Sequence, residues 1–439
     1  MKKKAKTILA SVMLLSLLTA CVPAALNPSG SQPSPSPPQV AEMLNFRITW
    51  DSYSGRGEAI QKIVDSYNEE NASGLNVSMI SGDEDKKAIE TLLQAADSDT
   101  FFVLPYRYVK YFGANGYLAD LTGSFAKAEN MFYPALWKLG TVEGTVYGIP
   151  WLGHSMCLLY NKTLLNEAGF NPKSIKSLDS WVAAMDAVEV KTGAKGVGLV
   201  GAESNDVSWM VNQFVYGFGS TLVDDTGKKV SVNNDKAKAA IEFYRDTLGA
   251  RAQPTWKDDT GKEVMSHFLN QEVAFEFQGI WGVTDIEKNA SPFEVGIISP
   301  SDIGLCSEVG PMMLAVPASM SEEHKKAAFG FINYMISIPA QEQIMDGEYS
   351  PEHDTYYHFR MPIRLDMAES AFFTSNPEYV SFLSGFENPS IDVPVPAWQT
   401  VKDSIYSPGL HKVMIGVLTV DDFLSAVETE GNQILSTGR

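Results

Sequence analysis

The sequence predicts an α/β protein of two or three domains, beginning with a mostly parallel, doubly wound sheet. Its 439 residues exceed the roughly 100–200 residues of a single domain. Hydrophobic residues make up 44% and charged residues 20% of the chain, which is typical of proteins that fold around apolar cores. Beyond Leu44, short apolar runs alternate with segments of helical periodicity, and this alternation is the pattern of α/β structure.

The first five predicted elements alternate as β-α-β-α-β. The helix at 57–68 rests on apolar residues at i, i+3, i+4 and i+7, which are Ile60, Ile63, Val64 and Tyr67. The predicted strands are 45–50, 75–80, 101–104, 156–160, 196–200, 272–277, 293–298 and 312–316. The predicted helices are 57–68, 86–96, 108–114, 178–192, 208–216, 234–248, 322–337 and 421–435.

The first twenty residues have the pattern of a secretion signal. Four lysines in the first six positions precede an apolar run at 7–18, too short to cross a bilayer core of about 30 Å. The run ends in Leu18-Thr19-Ala20-Cys21, which resembles a bacterial lipobox, where cleavage precedes the cysteine and its thiol is acylated. The alternative is an ordinary secretory signal with an incidental cysteine. Residues 21–43 are therefore predicted to be a lipidated Cys21 followed by a semi-rigid tether rich in Pro and Ser.

The charge of the chain excludes some partners. Lys and Arg total 34 against 53 Asp and Glu, a net charge of −19. Such a surface repels nucleic acids and anionic lipid surfaces. It also disfavours an anionic ligand, unless a local basic pocket overrides the overall field.

A series of short motifs occurs in a fixed order along the body of the chain. They are YGIPW at 147–151, LLYNK at 158–162, AGFNP at 168–172, NQEVAF at 270–275 and QGIW at 278–281. This series resembles the extracellular solute-binding proteins of ABC sugar importers, relatives of the maltodextrin-binding protein. The resemblance implies a two-lobed, periplasmic-binding-protein-like fold, in which two doubly wound sheets are joined by a multi-strand hinge. Lobe I would comprise 44–152 plus 304–348, and lobe II 153–303 plus 349–439.

Two segments depart from the family pattern near the expected position of the ligand between the lobes. Residues 98–101 read SDTF, where the family often has Pro-Asp-Val, and residues 352–364 are rich in His, Tyr and Arg. The identity of the ligand therefore cannot be carried over from the family.

A sugar site needs flat aromatic side chains for the ring faces and carboxylates or amides for the hydroxyls. Trp50, Asp51 and Tyr53 lie where the first strand ends, so they are candidate ligand-binding residues; the alternative for Trp50 is a core position. Trp281 follows Gly279 and matches the family's G-x-W segment, whose tryptophan often stacks on the ligand. Its alternative is packing.

The other candidate ligand-binding residues are also aromatic. Trp151 and His154 fall on the first predicted crossing between lobes, where the alternative is hinge packing. Trp209 and Tyr216 are seven apart on one predicted helix and so share a face, but a stripe of core residues would have the same spacing. Trp398 matches a family aromatic that is mostly structural.

No catalytic or metal motif is both complete and in the structural context that its chemistry needs. The GVGLVG at 196–201 lies within a predicted strand, GHSMC at 153–157 lacks the last glycine of G-x-S-x-G, and the six His lack metal-ligand spacing. We therefore expect no enzymatic activity, no cofactor and no metal. Cys157 and Cys306 are expected to remain thiols, although a disulfide between the crossings is the alternative.

The predicted function is a monomeric solute-binding component of an ABC importer, lipid-anchored on the extracytoplasmic face of the cell membrane. It would bind a carbohydrate, most simply an oligosaccharide, and deliver it to the permease. The alternatives are a receptor for peptides or polyamines, and an extracytoplasmic glycan-active enzyme that uses two carboxylates.

Overall fold

The computed structural model describes residues 43–50, 55–71, 75–82, 85–95, 98–289, 293–391 and 393–437. The predicted signal peptide, Cys21 and the tether up to residue 42 lie outside these ranges, as do Asp51 and Tyr53. Residues 41–439 form one compact unit. Within the described ranges, no helix has both the length and the apolar character that a membrane crossing requires.

Strands and helices alternate through most of the unit. The strands are β1 Met43–Ile48, β2 Asn76–Ser81, β3 Thr100–Pro105, β4 Thr141–Val142, β5 Thr145–Val146, β6 Ile149–Gly153, β7 Cys157–Asn161, β8 Lys195–Val197, β9 Val273–Gln278, β10 Val295–Ile298, β11 Ser307–Glu308, β12 Met312–Ala315, β13 Glu348–Ser350, β14 Thr355–Tyr357, β15 Met361–Pro362 and β16 Pro389–Ser390. The helices are α1 Gly55–Glu70, α2 Lys86–Leu93, α3 Tyr106–Ala114, α4 Pro134–Trp137, α5 Lys162–Glu167, α6 Leu178–Thr192, α7 Asn205–Gly217, α8 Asp235–Glu242, α9 Gly261–Leu269, α10 Ile280–Lys288, α11 Glu322–Met335, α12 Ile338–Gln343, α13 Ala371–Ser375, α14 Val380–Ser384, α15 Pro396–Val401, α16 Ser407–Met414 and α17 Val420–Thr437.

The first sheet forms the centre of lobe I and has six strands in the order β15-β6-β12-β3-β1-β2. β1 pairs in parallel with β2 and β3, as the β-α-β-α-β opening predicts. β12, β6 and β15 join with antiparallel pairing. Because β12 lies between β3 and β6, lobe I is completed by a segment that follows the strands of the second sheet in the chain.

The second sheet forms the centre of lobe II, with the order β10-β7-β9-β8. Only β8 and β9 are parallel. Both of its faces are buried: Phe275 and Phe277 pack edge to face against Trp181 in one apolar core. On the other face, Leu159 and Ile280 belong to the core that also fills lobe I. One core is therefore continuous between the lobes.

Three segments of the chain meet between the sheets and form a multi-strand hinge. In the first two, the Met156 N–H donates to the Glu308 carbonyl at 2.9 Å, and the Gly310 N–H donates to the His154 carbonyl at 3.1 Å. In the third, β16 pairs in parallel with β11. We call residues 153–157, 306–311 and 387–391 the crossing segments.

The two-lobed α/β prediction is confirmed, but the sheets are mixed, because the returning strands insert antiparallel to their neighbours. One expected boundary also differs from the structure. Residues from 349 onwards were expected in lobe II, whereas β15 pairs with β6 in the first sheet. Phe373 and Phe382 belong to the core that is continuous between the lobes. β15 is therefore part of lobe I, because it continues the edge of the first sheet.

Candidate functional site

A cavity of about 440 Å³ is lined by residues of both lobes and of the crossing segments. We call it the cleft. Its lining comprises Trp50, Pro105, Tyr106, Arg107 and Tyr108 from lobe I, Asn205, Trp209, Gln399, Lys402 and Asp403 from lobe II, His154, Glu308, Gly310 and Pro311 from the crossing segments, together with Met312 and Arg360.

The strand order explains why these residues meet. Trp50 follows the end of β1 and Tyr106 follows the end of β3, and the carboxyl ends of parallel neighbours lie at one edge of a sheet. From lobe II, Asn205 and Trp209 lie four residues apart at the start of α7, hence on one face of that helix. Cα atoms of α3 and α15 come within 8 Å of each other, so the lobes approach one another beside the cleft.

The guanidinium group of Arg360 lies between two indole rings. Its Cζ is 5.6 Å from the ring centroid of Trp50 and 5.3 Å from that of Trp281, within the roughly 6 Å of a cation–π contact. Its Nη1 donates to the Phe359 carbonyl at 2.8 Å. Phe359 in turn packs edge to face with Trp50, at 5.9 Å between centroids. Arg360 therefore links a tryptophan of lobe I to one of lobe II.

Two further cations of the cleft lie over aromatic rings. Nζ of Lys402 is 4.9 Å from the ring centroid of Trp209, and Cζ of Arg107 is 4.8 Å from that of Tyr108. Lys402 is only 2% exposed, so its ammonium group is held against the indole rather than extended into solvent.

His154 connects the hinge to the cleft. Its Nε2 lies 2.9 Å from Oε2 of Glu308 on the second crossing segment, and its ring packs edge to face with Trp281. Gly310 makes room for this ring, because a Cβ at Gly310 would lie 2.2 Å from Cε1 of His154. A larger residue at position 310 would displace the imidazole.

A second cavity, also of about 440 Å³, shares Trp209 with the cleft and is bordered by Trp281, Gln278 and Asp285. We call it the side chamber. Burial raises the pKa of the Asp285 carboxyl, an effect that the charges of Lys288 and Arg56 oppose. Two residues before Gln278 on β9, burial and then the nearby Asp285 raise the pKa of Glu276 well above its usual range.

The structure brings several of the predicted site residues together. Trp50, His154 and Trp209 line the cleft, and Trp281 contacts both His154 and Arg360. The space that Gly279 leaves is filled by the Trp281 ring itself, since a Cβ there would lie 2.1 Å from the indole. Their role in binding stays a prediction.

Three other predicted residues do not line the cleft. Trp151 is fully buried in the core of lobe I, edge to face with Phe46. Trp398 is 1% exposed and packs on Tyr406 in the core of lobe II. Tyr216 donates from its hydroxyl to the Ile391 carbonyl at 3.2 Å. The structure therefore agrees with the packing alternative for all three residues. The two tryptophans are enclosed by their own lobes, and the tyrosine is bonded to the end of the third crossing segment.

Sequence reasoning missed several residues of the cleft. Tyr106, Arg107 and Tyr108 follow a predicted strand end, so the position of that strand end could have indicated them. Arg360 lies in the segment that departs from the family pattern. Lys402 and Asp403 lie in the π-helical turn Lys402–Tyr406 after α15, for which the sequence holds no signal of a binding role.

The polar groups of the cleft suit binding. Asp403 accepts from the Gln399 side chain at 2.8 Å, and Asn205 at the start of α7 is exposed. Among the described residues, no group of three His, Cys, Asp or Glu side chains is placed to hold a metal ion. The arrangement therefore offers aromatic faces, amides, carboxylates and cations to an organic ligand.

The sequence matches one protein family and several proteins of known or probable binding function. The sequence model of the family described as bacterial extracellular solute-binding protein matches residues 62–380. A probable ABC transporter-binding protein of Deinococcus radiodurans is 26% identical over 252 residues, which are 55% of this chain and 60% of that protein. The multiple sugar-binding protein of Streptococcus mutans is 22% identical over 354 residues, 76% of this chain and 80% of that protein.

Solved structures share the architecture. The cyclic α-maltosyl-1,6-maltose binding protein from Arthrobacter globiformis superposes with a TM-score of 0.75 at 20% identity, covering 90% of this chain and 99% of that protein. At this identity the match demonstrates the shared two-lobed fold.

Proposed function

Because the chain belongs to the bacterial extracellular solute-binding proteins, we propose that it is the binding component of an ABC importer and that its ligand is a carbohydrate. The ligand, most simply an oligosaccharide, is held in the cleft and handed to the membrane permease. The relatives named for multiple sugars and for a cyclic maltosyl-maltose support this ligand class.

The observation that carries the proposal is that tryptophans from both lobes face one cavity. Trp50 of lobe I and Trp209 of lobe II line the cleft, and an indole face suits the C–H face of a sugar ring. Asn205, Gln399 and Asp403 line the same cavity and supply the donors and acceptors that sugar hydroxyls need.

Closure of the two lobes about the hinge distinguishes the ligand-bound protein from the unbound protein. A ligand that contacts both Trp50 and Trp209 binds the closed arrangement better than an open one, and this difference drives closure. The crossing segments are joined by backbone hydrogen bonds such as Met156 to Glu308, so the lobes can rotate about them without separating. The closed form is then the form that the permease receives.

The anchor and the absence of turnover complete the proposal. Cys21 carries the lipid, and the Pro/Ser-rich tether holds the monomeric body away from the extracytoplasmic face of the membrane. The ligand leaves unchanged. Prolonged incubation of purified protein with candidate oligosaccharides should yield no shorter product; cleavage that disappears in Asp403→Asn would assign an enzyme instead.

A thermal-shift screen followed by calorimetry tests the ligand class. Saccharides, peptides and polyamines are compared, and a ligand at a hundred times its Kd stabilises the folded protein by about 2.7 kcal/mol. We expect shifts with saccharides that Trp209→Ala abolishes, whereas the control Tyr356→Ala, on an exposed hairpin, retains them. Shifts with peptides or polyamines and none with any saccharide would overturn the proposal.

A further inference from the structure

We infer that the saccharide bound in the cleft carries an anionic group, a carboxylate or a phosphate, which Arg360 recognises. This inference rests on the proposed carbohydrate-binding function and specifies the class of ligand.

The first support is the charge of the cleft. The described residues that line it include three cations, Arg107, Arg360 and Lys402, and two carboxylates, Glu308 and Asp403. Both carboxylates already have polar partners in the structure: Glu308 has His154 at 2.9 Å, and Asp403 accepts from Gln399 at 2.8 Å. Among the described residues that line the cleft, the cations therefore outnumber the carboxylates by one.

This balance is opposite to that of the whole chain, which carries a net charge of −19. Such a field repels anions at long range, so an anionic ligand needs cations concentrated at the site itself. A neutral saccharide would need no such concentration, because hydroxyls are satisfied by amides and carboxylates as well as by cations.

The second support is how Arg360 is held. Its guanidinium lies between Trp50 and Trp281, with Cζ 5.6 and 5.3 Å from the ring centroids. These two cation–π contacts restrain the position of the guanidinium, and its planar set of N–H groups matches the two oxygens of a carboxylate or phosphate. Lysine would supply the charge without this planar geometry.

The backbone beside Arg360 is fixed as well. The neighbouring Phe359 is 2% exposed, and the carbonyl of His358 accepts a hydrogen bond of 2.5 Å from the Thr284 hydroxyl on α10. Little conformational freedom therefore remains to be lost when a ligand binds. Because Arg360 contacts a ring from each lobe, an anion held by it favours the closed arrangement.

The experiment pairs each acidic saccharide with its neutral counterpart in calorimetric titrations at two salt concentrations. Digalacturonate is compared with galactobiose, and glucose 6-phosphate with glucose, so that the two arms distinguish carboxylate from phosphate. We expect the acidic member of at least one pair to bind ten-fold or more tightly than its counterpart, with affinity that falls as salt is raised.

Variants of Arg360 localise the effect. Arg360→Gln should weaken the acidic ligand roughly ten- to hundred-fold, as loss of charged hydrogen bonds does, and change a neutral ligand by less than about three-fold. Arg360→Lys should recover only part of the loss. The matched control Arg245→Gln removes an equal charge from a residue paired with its neighbour Asp246 and should leave both affinities unchanged.

The outcomes separate the two proposals. Neutral saccharides that bind as tightly as acidic ones, or tighter, overturn the anionic inference and leave carbohydrate binding intact, whether or not any variant folds. Failure of every saccharide to bind overturns both. Preference for the acidic member that persists unchanged in a folded Arg360→Gln would overturn the inference, because a group other than Arg360 would then recognise the anion.

Discussion

The imidazole of His154 packs edge to face against the indole of Trp281, with 5.1 Å between the ring centroids and 82° between the ring planes. His154 lies on the first crossing segment, and Trp281 lies in the first turn of α10 in lobe II. The same imidazole is 2.9 Å from Glu308 on the second crossing segment. The His154 side chain therefore links a ligand that contacts Trp281 to two of the crossing segments.

Trp281→Ala should weaken saccharide binding roughly ten- to hundred-fold, or about 1–3 kcal/mol, because Trp281 contacts His154 and Arg360, which both line the cleft. The ring is partly buried against the core of lobe II, so some stability will also be lost. Calorimetric titration of the folded variant measures the first effect, and denaturant unfolding measures the second. Affinity equal to that of the parent protein would exclude a stacking role.

The control for this variant is Trp398→Ala, because Trp398 is 1% exposed and borders neither the cleft nor the side chamber. Loss of a buried tryptophan leaves a cavity and costs about 3–5 kcal/mol of unfolding free energy. The folded fraction should retain the affinity of the parent. The two variants thus separate recognition from packing in side chains of one type.

Local patterns in the sequence predicted many of the longer strands and helices of the fold. α6 begins and ends at the predicted residues, 178 and 192. A capping box at Ser177 and a left-handed Gly193 mark its two ends, and such signals lie within a few residues of the helix they bound. β15 had no comparable signal, because a two-residue strand is defined only by its pairing with β6, some two hundred residues earlier.

The site was less predictable for a related reason. Trp50 and Trp151 each belong to a strand or its end, and residue type does not distinguish an indole enclosed by its own lobe from one that faces the other lobe. That difference depends on the approach of the two lobes, which no local pattern encodes. The position of Arg360 in the cleft could not be predicted for the same reason, since it depends on contacts with two tryptophans that are distant in sequence.

Cys21→Ala should release the protein from the membrane. Without the acylated thiol, the mature protein lacks the lipid that is predicted to anchor it in the membrane. Fractionation of cells that express the parent and the variant measures this, with Cys306→Ala as a control that should remain with the membrane. A Cys21→Ala protein found wholly in the membrane fraction would contradict the lipobox prediction.

Cys157 and Cys306 should titrate as two thiols only after unfolding. Both are free in the structure. Burial, and then the charge of Asp302, raises the pKa of the Cys157 thiol well above its usual range, and burial also raises the pKa of Cys306. The thiolate is the reactive form, so labelling of native protein at pH 8 should be slow. Denatured protein lacking Cys21 should give a count of two; a count of zero would demonstrate a disulfide.

Glu276→Met should stabilise the protein at neutral pH. Both carboxyl oxygens of Glu276 are buried with no hydrogen-bond partner among the described residues, and burial raises the pKa of this group. Removing an unsatisfied buried polar group should add about 1–3 kcal/mol to the unfolding free energy.

The sign of the pH dependence follows from the raised pKa. The folded state binds the proton of Glu276 more tightly than the unfolded state. Its contribution to stability is therefore fully present below the unfolded pKa and is lost as pH rises through the folded pKa. The gain in unfolding free energy from Glu276→Met should grow with pH across this interval, and at lower pH it should fall to the part that comes from the unsatisfied neutral carboxyl. A gain in unfolding free energy that is equal at all pH values would contradict the titration of Glu276 in this interval. The variant Glu276→Gln is the control, because it removes the charge and keeps the shape of the side chain.

Gly310→Ala should weaken ligand binding through the hinge. The added methyl group would lie 2.2 Å from Cε1 and 2.9 Å from Nε2 of His154, so the imidazole must move from the position that contacts Trp281 and Glu308. Because the His154 side chain is 20% exposed and lines the cleft, we expect the displaced ring to move into the cleft. We expect affinity to fall roughly ten-fold, which is about 1.4 kcal/mol.

Gly123→Ala is the matched control, because a Cβ at Gly123 meets no atom within 4 Å and its backbone is not left-handed. It should leave affinity unchanged and stability equal or slightly higher, since alanine restricts the unfolded chain more than glycine does. Titration of both variants with the same saccharide decides the matter. If Gly310→Ala binds like Gly123→Ala, the position of His154 has no influence on the cleft, and the contact between His154 and Trp281 serves packing alone.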